Sequence, residues 1–384
     1  MQFTNFRSIM VTTAIVLVGT LTAACGGSSV ASGSSGPIAV GFVVPYSGPV
    51  AEYGKDADEA WALAVEKYGS SVNGRQIQVK KYDDKCNPSE AVGAVKQAIG
   101  AGVVVLVGPT CSGNVIATQQ IAANAKIPIV TQAYAPEITA QGSKYIWRMP
   151  ASATVLNGNL AVFLQKKGWR KNIAVIHDNT GYGQAEGQTI TEGFKNLGIT
   201  PVANITYKVG ATDFSGEIQR LKSAGADHVC LMGYDPDTAR IALQMQQLGL
   251  NAEICANEVL GFADSLELGG AALNGAYFAS VFQPDAERTA SFNKAWTAKY
   301  GTDANPEQYE YYLSAVTVIQ ALKSTKGDIS PDSVNLAISK LNFDVDGAAT
   351  LAFTSTGDPK CPTVLVGTIE NVKAITVQDD SQHC

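Results

Sequence analysis

The sequence predicts an α/β protein that is built from two lobes of similar construction, and three observations support this prediction. The chain has 384 residues, more than most single hydrophobic cores contain. From Pro37 onward, short β-type runs alternate with amphipathic helical stretches, and a second series of the same kind begins at Asn172. Because repeated β-α units form parallel sheets that are covered by helices on both faces, each series predicts one such sheet.

The first series contains four β-type runs and three helical stretches. The runs are "IAVGFVV", "QIQVKKYDD", "VVVLVG" and "IPIV", and the helical stretches cover residues 56–68, 87–99 and 112–124. The second helix has the clearest start. Asn87 suits the N-cap, Pro88 suits the first helical position, and Glu90 suits the first turn.

The second series contains four further β-type runs and three helical stretches. The runs are "NIAVIHD", "PVANITYKV", "DHVCLMG" and "AEICAN", and the helical stretches cover residues 184–197, 213–223 and 237–248. Between the two series, the segment "YIWRMPASAT" is interpreted as a crossover from one lobe to the other.

The remainder of the chain is predicted to be mostly helical over residues 286–341, with Ser330 as the N-cap of a helix that begins at Pro331. A Gly-rich segment, "VDGAATLAF", and two β-type runs, "TVLVGTI" and "AITV", follow. The expected lobes are 37–151 plus 283–345 for lobe 1, and 152–282 plus 346–384 for lobe 2.

The N-terminal residues are predicted to be an export signal and a tether rather than part of the fold. Arg7 precedes an apolar run over 9–18, and this run is shorter than the ~20 residues of a membrane-spanning helix. Small residues ending in Cys25 resemble a bacterial lipobox. The resemblance implies a signal peptide over 1–24 and a lipid on Cys25, which would anchor the exported chain at the outer face of the cell membrane or in the periplasm. Plain secretion is the alternative.

The Gly/Ser-rich residues 25–36 predict a flexible tether.

Export determines how the other cysteines are interpreted, since disulfides form in oxidising compartments. Of the seven cysteines, an even number remains beyond Cys25, which indicates disulfides, although six cysteines allow about 15 connectivities. We favour pairing between neighbours along the chain: Cys86 with Cys111, Cys230 with Cys255, and Cys361 with Cys384. Because no pair has the C-x-x-C spacing of a zinc site, no metal is predicted.

The composition and the motifs argue against several classes of function. The net charge is −6 and the chain has no long basic run, whereas nucleic-acid binding needs clustered Lys and Arg. The segment "HDNTGYGQAEG" resembles a dinucleotide fingerprint, but Glu186 stands where the third glycine belongs. A Ser or Cys nucleophile needs a histidine base. Of His177, His228 and His383, only His177 lies at a strand end. We therefore predict no enzyme, no cofactor and no nucleic-acid partner.

The candidate binding residues lie where predicted strands end, because open α/β sheets bind ligands at the carboxyl ends of their strands. Glu258 directly follows the run "AEICAN", and we expect most other carboxylates to lie on the solvated surface. Tyrosines at strand ends or in loops can form the walls of a cleft and contact a cation through their faces. These tyrosines are Tyr46, Tyr53, Tyr134, Tyr182 and Tyr234.

Several stretches in the same order resemble the type I periplasmic-binding-protein family, in particular the leucine/isoleucine/valine-binding proteins of bacterial ABC importers. They include "GFVVPYSGPVAEYG", "KYDDKC", "GPTCSGN", "APEITA", "IAVIHDNTGYG" and "GYDPDTARIALQMQQLGL", and the resemblance covers residues 37–366. It implies two Rossmann-like lobes that are joined by three crossovers and close on a small amino acid. The implied partners are an ABC permease and its ATPase subunits, and the implied state is a monomer.

The resemblance also implies roles for individual residues. Ser112 holds the position of the hydroxyl that binds the α-carboxylate, and Glu258 holds the position of the acid that binds the α-ammonium. Tyr182 and Tyr53 correspond to tyrosines that line the ligand. The disulfide between Cys86 and Cys111 is implied as well.

One position departs from the family pattern and leaves the ligand open. Tyr134 stands where the branched-chain amino-acid binders have a threonine that contacts the carboxylate. The ligand is then either a different amino acid or another small molecule, such as an amide, urea or a small aromatic carboxylate. A ligand-sensing receptor subunit is a further alternative to an importer.

Overall fold

The structure, a computed structural model, describes residues 36–381. The predicted signal peptide over 1–24, Cys25 with its predicted lipid, the tether up to residue 35, and Cys384 lie outside the described residues. None of the helices within residues 36–381 combines the length and the apolar character that a membrane crossing requires.

Strands and helices alternate along most of the described chain. The strands are β1 Ile38–Val44, β2 Ser71–Val72, β3 Arg75–Asp83, β4 Val105–Val107, β5 Ile129–Thr131, β6 Ile146–Arg148, β7 Ile173–Asp178, β8 Ala203–Tyr207, β9 His228–Met232, β10 Glu253–Ala256, β11 Tyr277–Ser280, β12 Phe343–Val345, β13 Ala349–Leu351, β14 Leu365–Glu370 and β15 Lys373–Asp379. The α-helices are α1 Glu52–Tyr68, α2 Pro88–Gly100, α3 Ser112–Asn124, α4 Glu137–Ala140, α5 Ala153–Lys166, α6 Gly181–Asn196, α7 Ser215–Ser223, α8 Asp237–Gln247, α9 Ala263–Gly269, α10 Ala290–Tyr300, α11 Pro306–Ser324 and α12 Pro331–Ser339.

The first lobe contains a six-stranded sheet in the order β2-β3-β1-β4-β5-β6. Its strands are parallel except β2, which forms an antiparallel pair with β3. The central strand β4 is buried throughout and consists of Val-Leu-Val. A continuous apolar run of this kind is expected for a strand that is covered on both faces.

The second lobe contains a seven-stranded sheet in the order β15-β14-β11-β10-β9-β7-β8. Strands β7 to β11 are parallel, whereas β14 is antiparallel to both β11 and β15. The predicted parallel sheets are confirmed for most strands, whereas β2, β14 and β15, at or next to the edges of the sheets, are antiparallel to their neighbours. Only two residues separate β14 from β15, and a connection this short permits only antiparallel neighbours.

The chain passes between the lobes three times, between β6 and α5, between β11 and α10, and between α12 and β14. The segment "YIWRMPASAT" is more than the predicted crossover, because its residues Ile146–Arg148 form β6 and pair with β5. The helix α5, which follows directly, was not predicted. The exact lobe boundaries stay a prediction.

Two predicted helix starts are confirmed. The Asn87 side chain accepts hydrogen bonds from the backbone N–H groups of Ser89 and Glu90, and Pro88 is the first residue of α2. Ser330 accepts a hydrogen bond from the N–H of Ser333 at the start of α12. Both caps satisfy backbone donors that a helix leaves free at its N-terminus.

Arg148, at the end of β6, ties the third crossover to a loop of the first lobe. Its buried guanidinium forms an ion pair with Asp358 at 2.9 Å. It also donates to the backbone oxygens of Tyr134 and Ala135 at 2.9 and 2.8 Å, and to Thr139 Oγ1. One charged side chain therefore fixes the backbone of the loop that carries Tyr134.

We expect Arg148→Met to destabilise the protein by about 3 kcal/mol, because it leaves Asp358 and two buried carbonyl groups without their partner. The measurement is the midpoint of urea unfolding. The control is Arg170→Met, since Arg170 is exposed. Equal midpoints for the two variants would contradict the assigned role of Arg148.

Candidate functional site

The loop between β4 and α3 places a hydroxyl at a helix N-terminus. Gly108 has φ +82°, and a Cβ there would lie 2.1 Å from the carbonyl oxygen of Val43, so the turn requires glycine. Ser112 is the first residue of α3 and is only 1% exposed. Its Oγ accepts a hydrogen bond from the N–H of Ala135 at 3.3 Å, which leaves the hydroxyl proton available to an anion.

Disulfides brace this turn and the second sheet. Cys111, which precedes Ser112, is bonded to Cys86 in the loop after β3. Cys230 and Cys255 are bonded across the paired strands β9 and β10. Cys361 is disulfide-bonded as well, and its predicted partner Cys384 lies outside the described residues. No cysteine within residues 36–381 is therefore a free thiol that could act as a nucleophile.

In the second lobe, a tyrosine, an amide and a carboxylate form one hydrogen-bonded group. The hydroxyl of Tyr182, the second residue of α6, donates to Glu258 Oε1. Asn257 Nδ2 donates to the same hydroxyl and to the carbonyl oxygen of Gly233. Glu258 is 4% exposed and lies just beyond the carboxyl end of β10. Burial, together with the charge of Asp235, raises the pKa of its carboxyl to about 7.

In the first lobe, Tyr134 faces this group. Its hydroxyl donates to Glu310 on α11. Its ring centroid lies 6.1 Å from that of Tyr182, which in turn lies 4.5 Å from that of Tyr234. A row of three tyrosine rings therefore extends from one lobe into the other.

The two lobes are in contact, so the cleft is closed. The hydroxyl of Tyr53 on α1 donates to Asp235 Oδ1 at 3.1 Å, which joins the first lobe to the second. A Cβ on Gly181 at the start of α6 would lie 3.3 Å from Cα of Gly113 at the start of α3. The N-termini of α3 and α6 therefore meet at the cleft.

The predicted binding residues lie in this region, but Tyr53 and Tyr182 lie in the first turns of α1 and α6 rather than at strand ends or in loops. Tyr182 and Glu258 contact each other, Tyr134 packs near Tyr182, and Ser112 contacts the residue after Tyr134. Of the other tyrosines singled out from the sequence, Tyr234 joins the row and Tyr46 does not. Tyr46 instead donates to Asp58 on α1 and has the ammonium of Lys81 at 5.3 Å from its ring.

The expectation that carboxylates other than Glu258 are mostly solvated is wrong for several residues. Buried carboxylates within residues 36–381 also include Asp56, Asp84, Asp178, Glu186, Asp237, Glu307 and Glu310. Glu307 and Glu310 lie on α11, which is buried along almost its whole length. The sequence contains a pattern that could have indicated this burial. The two glutamates lie inside "PEQYEYYLSAVTVI", a helical stretch that has no polar face to turn toward solvent.

Burial and the neighbouring acids disfavour the ionised form of the carboxyl groups in the cleft. Burial raises the pKa of Glu310 well above its usual range, and the charges of Glu307 and Glu258 raise it further. Burial and the charges of Asp56 and Glu258 have the same effect on the pKa of Glu307. Within residues 36–381, no group of three or more His, Cys, Asp and Glu side chains is arranged to hold a metal ion.

Comparisons with known proteins agree with this architecture. A family model described as periplasmic binding protein matches residues 37–366. The chain is 30% identical over 329 residues to the leucine-, isoleucine-, valine-, threonine- and alanine-binding protein of Pseudomonas aeruginosa, an alignment that covers 84% of this chain and 87% of that protein. It is 26% identical to Leu/Ile/Val-binding protein homolog 3 of Brucella melitensis, with coverages of 86% and 91%.

Solved structures share the fold. A leucine-binding protein of Thermotoga maritima superposes with a TM-score of 0.81 at 23% identity, covering 89% of this chain and 98% of that one. A solute-binding protein of an ABC transporter from R. palustris, in complex with benzoate, gives a TM-score of 0.82 at 19% identity, with coverages of 90% and 97%.

We expect Gly181→Leu to keep the lobes apart, because its side chain would occupy the space that Gly113 fills in the closed form. Small-angle X-ray scattering should then give a larger radius of gyration than for the parent protein. Gly216→Leu is the matched control, since Gly216 also lies in the first turn of a helix and an added Cβ there meets no atom within 4 Å. Identical scattering from the two variants would contradict the contact between α3 and α6.

Proposed function

Because the chain belongs to the periplasmic binding protein family, whose members bind solutes rather than catalyse reactions, we propose that it captures a small amino acid for an ABC importer. Family membership also makes it an exported protein. The observation that carries the proposal is the buried carboxylate of Glu258 in the second lobe, which is linked through Tyr182 to the ring of Tyr134 in the first lobe. The related Pseudomonas and Brucella proteins are named for binding such amino acids.

The start of α3 supplies the site for the carboxylate of the ligand. Free backbone N–H groups and the helix dipole favour an anion at a helix N-terminus. The hydroxyl of Ser112 adds a donor there, because its hydrogen bond with Ala135 uses it only as an acceptor. The disulfide at Cys111 keeps the turn in place.

Glu258 supplies the site for the ammonium group of the ligand. An ionised carboxylate that is removed from water needs a counter-charge. Asn257 and Tyr182 hold the Glu258 side chain through the shared hydroxyl of Tyr182. A ligand that is a pure anion, such as benzoate, would leave this carboxylate unpaired, so an amino acid suits the site better.

Lobe closure follows from where the two charges lie. A zwitterion that contacts Ser112 and Glu258 bridges the lobes, and it therefore binds the closed form more tightly than the open one. Only this difference in affinity can drive closure. The closed shape then presents the occupied protein to the permease.

The N-terminus supplies a membrane attachment in this proposal. The apolar run over 9–18 and the small residues before Cys25 support processing as a lipoprotein. The lobes would then reach the permease from the membrane surface through the Gly/Ser-rich residues 25–36.

We expect Glu258→Gln to weaken amino-acid binding by ~2–5 kcal/mol, because the ammonium group loses its charged partner. Ser112→Ala should weaken binding by ~1.5–3 kcal/mol, the range for a hydrogen bond to a charged group. Isothermal calorimetry, with the amino acid that raises the melting temperature most in a thermal-shift screen, measures both effects. Glu267→Gln, on the exposed face of α9, is the control. Unchanged affinity of the Glu258→Gln protein would refute the assignment.

We expect Cys25→Ser to release the protein from membranes, because serine lacks the sulfur that carries the lipid. The measurement is the partition of the parent and variant proteins between membrane and soluble fractions, together with the mass of the processed N-terminus. A parent protein that is soluble and carries no lipid would show plain secretion instead.

A further inference from the structure

Two acidic residues of the first lobe form a second carboxylate group at the cleft. Glu307 and Glu310 lie three positions apart on α11, so they point to the same side of the helix. They are 5% and 1% exposed, respectively. Neither residue belongs to the pair of contacts, Ser112 and Glu258, that the amino-acid backbone would use.

Glu310 is connected to the ligand site through side chains that line it. Tyr134 donates to Glu310 Oε1, the ring of Tyr134 lies beside that of Tyr182, and Tyr182 donates to Glu258. The charge of Glu258 also acts on both Glu307 and Glu310. The three carboxylates therefore share one buried environment.

Several oxygen atoms in this environment lack a hydrogen-bond donor. Glu307 Oε1, Glu310 Oε2 and Asn257 Oδ1 are buried and have no partner among residues 36–381. Asn257 gives independent evidence, because its oxygen is a neutral acceptor whose nitrogen already bonds the hydroxyl of Tyr182. A buried acceptor is satisfied in a native protein by a protein group, a water or a ligand, so these atoms are open to a donor that enters the cleft.

The described part of the chain does not supply that group. Arg148 is its only buried Lys or Arg side chain, and its guanidinium is already bound to Asp358 and to the loop of Tyr134. No set of side chains there is arranged for a metal ion. A cationic nitrogen that enters with the solute would supply N–H donors to these oxygens and would favour the ionised form of the acids.

We propose that the solute carries a second cationic nitrogen in its side chain, which binds Glu310 and Glu307, so that the ligand class is the diamino acids such as lysine and ornithine. This inference rests on the proposed function, which assigns the α-ammonium to Glu258. The rings of Tyr134 and Tyr182 add faces that attract a cation. Tyr134, which replaces the expected threonine, acts here by orienting Glu310.

Calorimetry with L-lysine and L-norleucine tests the proposal, because norleucine has the same carbon chain without the terminal amine. The parent protein should bind lysine about tenfold more tightly than norleucine, or better. Glu310→Gln should remove most of this preference and leave norleucine binding almost unchanged, whereas Glu258→Gln weakens the binding of both. Glu267→Gln should alter neither.

The ligand-free proteins provide a readout of folding. Since Glu310 is a buried acid without a cation, Glu310→Gln should melt at the same temperature as the parent or higher, so a loss of lysine binding is not a loss of fold. Norleucine that binds as tightly as lysine, or an unchanged preference in Glu310→Gln, would overturn the second cation site while leaving the proposed function intact.

A third probe separates the two proposals. Cadaverine has two amines and no carboxylate. If cadaverine binds and no amino acid does, the proposed amino-acid function fails while the carboxylate site at Glu310 stands. If lysine, norleucine and cadaverine all fail to bind while the thermal-shift screen identifies another amino acid, the second cation site is wrong and the amino-acid function stands.

Discussion

The structure depends on one electrostatic constraint, which is that carboxylates lie buried at the cleft while the only buried Lys or Arg side chain within residues 36–381, Arg148, is paired with Asp358. Glu258 comes from the end of a second-lobe strand, and Glu307 and Glu310 come from a first-lobe helix. All three are buried in this closed form, and burial is unfavourable for ionised carboxylates unless a counter-charge is present. A solute that brings positive charge therefore stabilises the closed form over the open one, and the same interaction determines both affinity and conformational change.

The rest of the fold keeps the groups of the cleft in place. Gly108 and the disulfide at Cys111 fix the turn that presents Ser112, and Arg148 fixes the loop that presents Tyr134. These supports come from the strands and loops of the first sheet rather than from the cleft itself. The lobes can then separate and close as units while each half of the site keeps its geometry.

The sequence predicted the parts of this arrangement that follow from local pattern. The alternation of strands and helices predicted two lobes. The position of Glu258 directly after a β-type run predicted that this residue lies at the carboxyl end of a strand. The importance of Glu307 and Glu310 could not be predicted, because helical periodicity does not reveal that α11 is covered on nearly all sides by tertiary packing. The strand β6 was also not predicted from the sequence. It is three residues long and ends in Arg148, a residue type that is rarely buried unless it is paired.

Proton release on binding tests the central claim most directly. Burial raises the pKa of Glu258 to about 7 in the closed form without a ligand, and a bound ammonium would lower it by favouring the ionised form. Binding at about pH 6.5 must then release protons, and affinity must fall as the pH drops below 7. Calorimetry in two buffers with different ionisation enthalpies counts the protons. The account predicts net release of protons, and a binding reaction that releases none and keeps the same affinity from about pH 5.5 to 8 would contradict it.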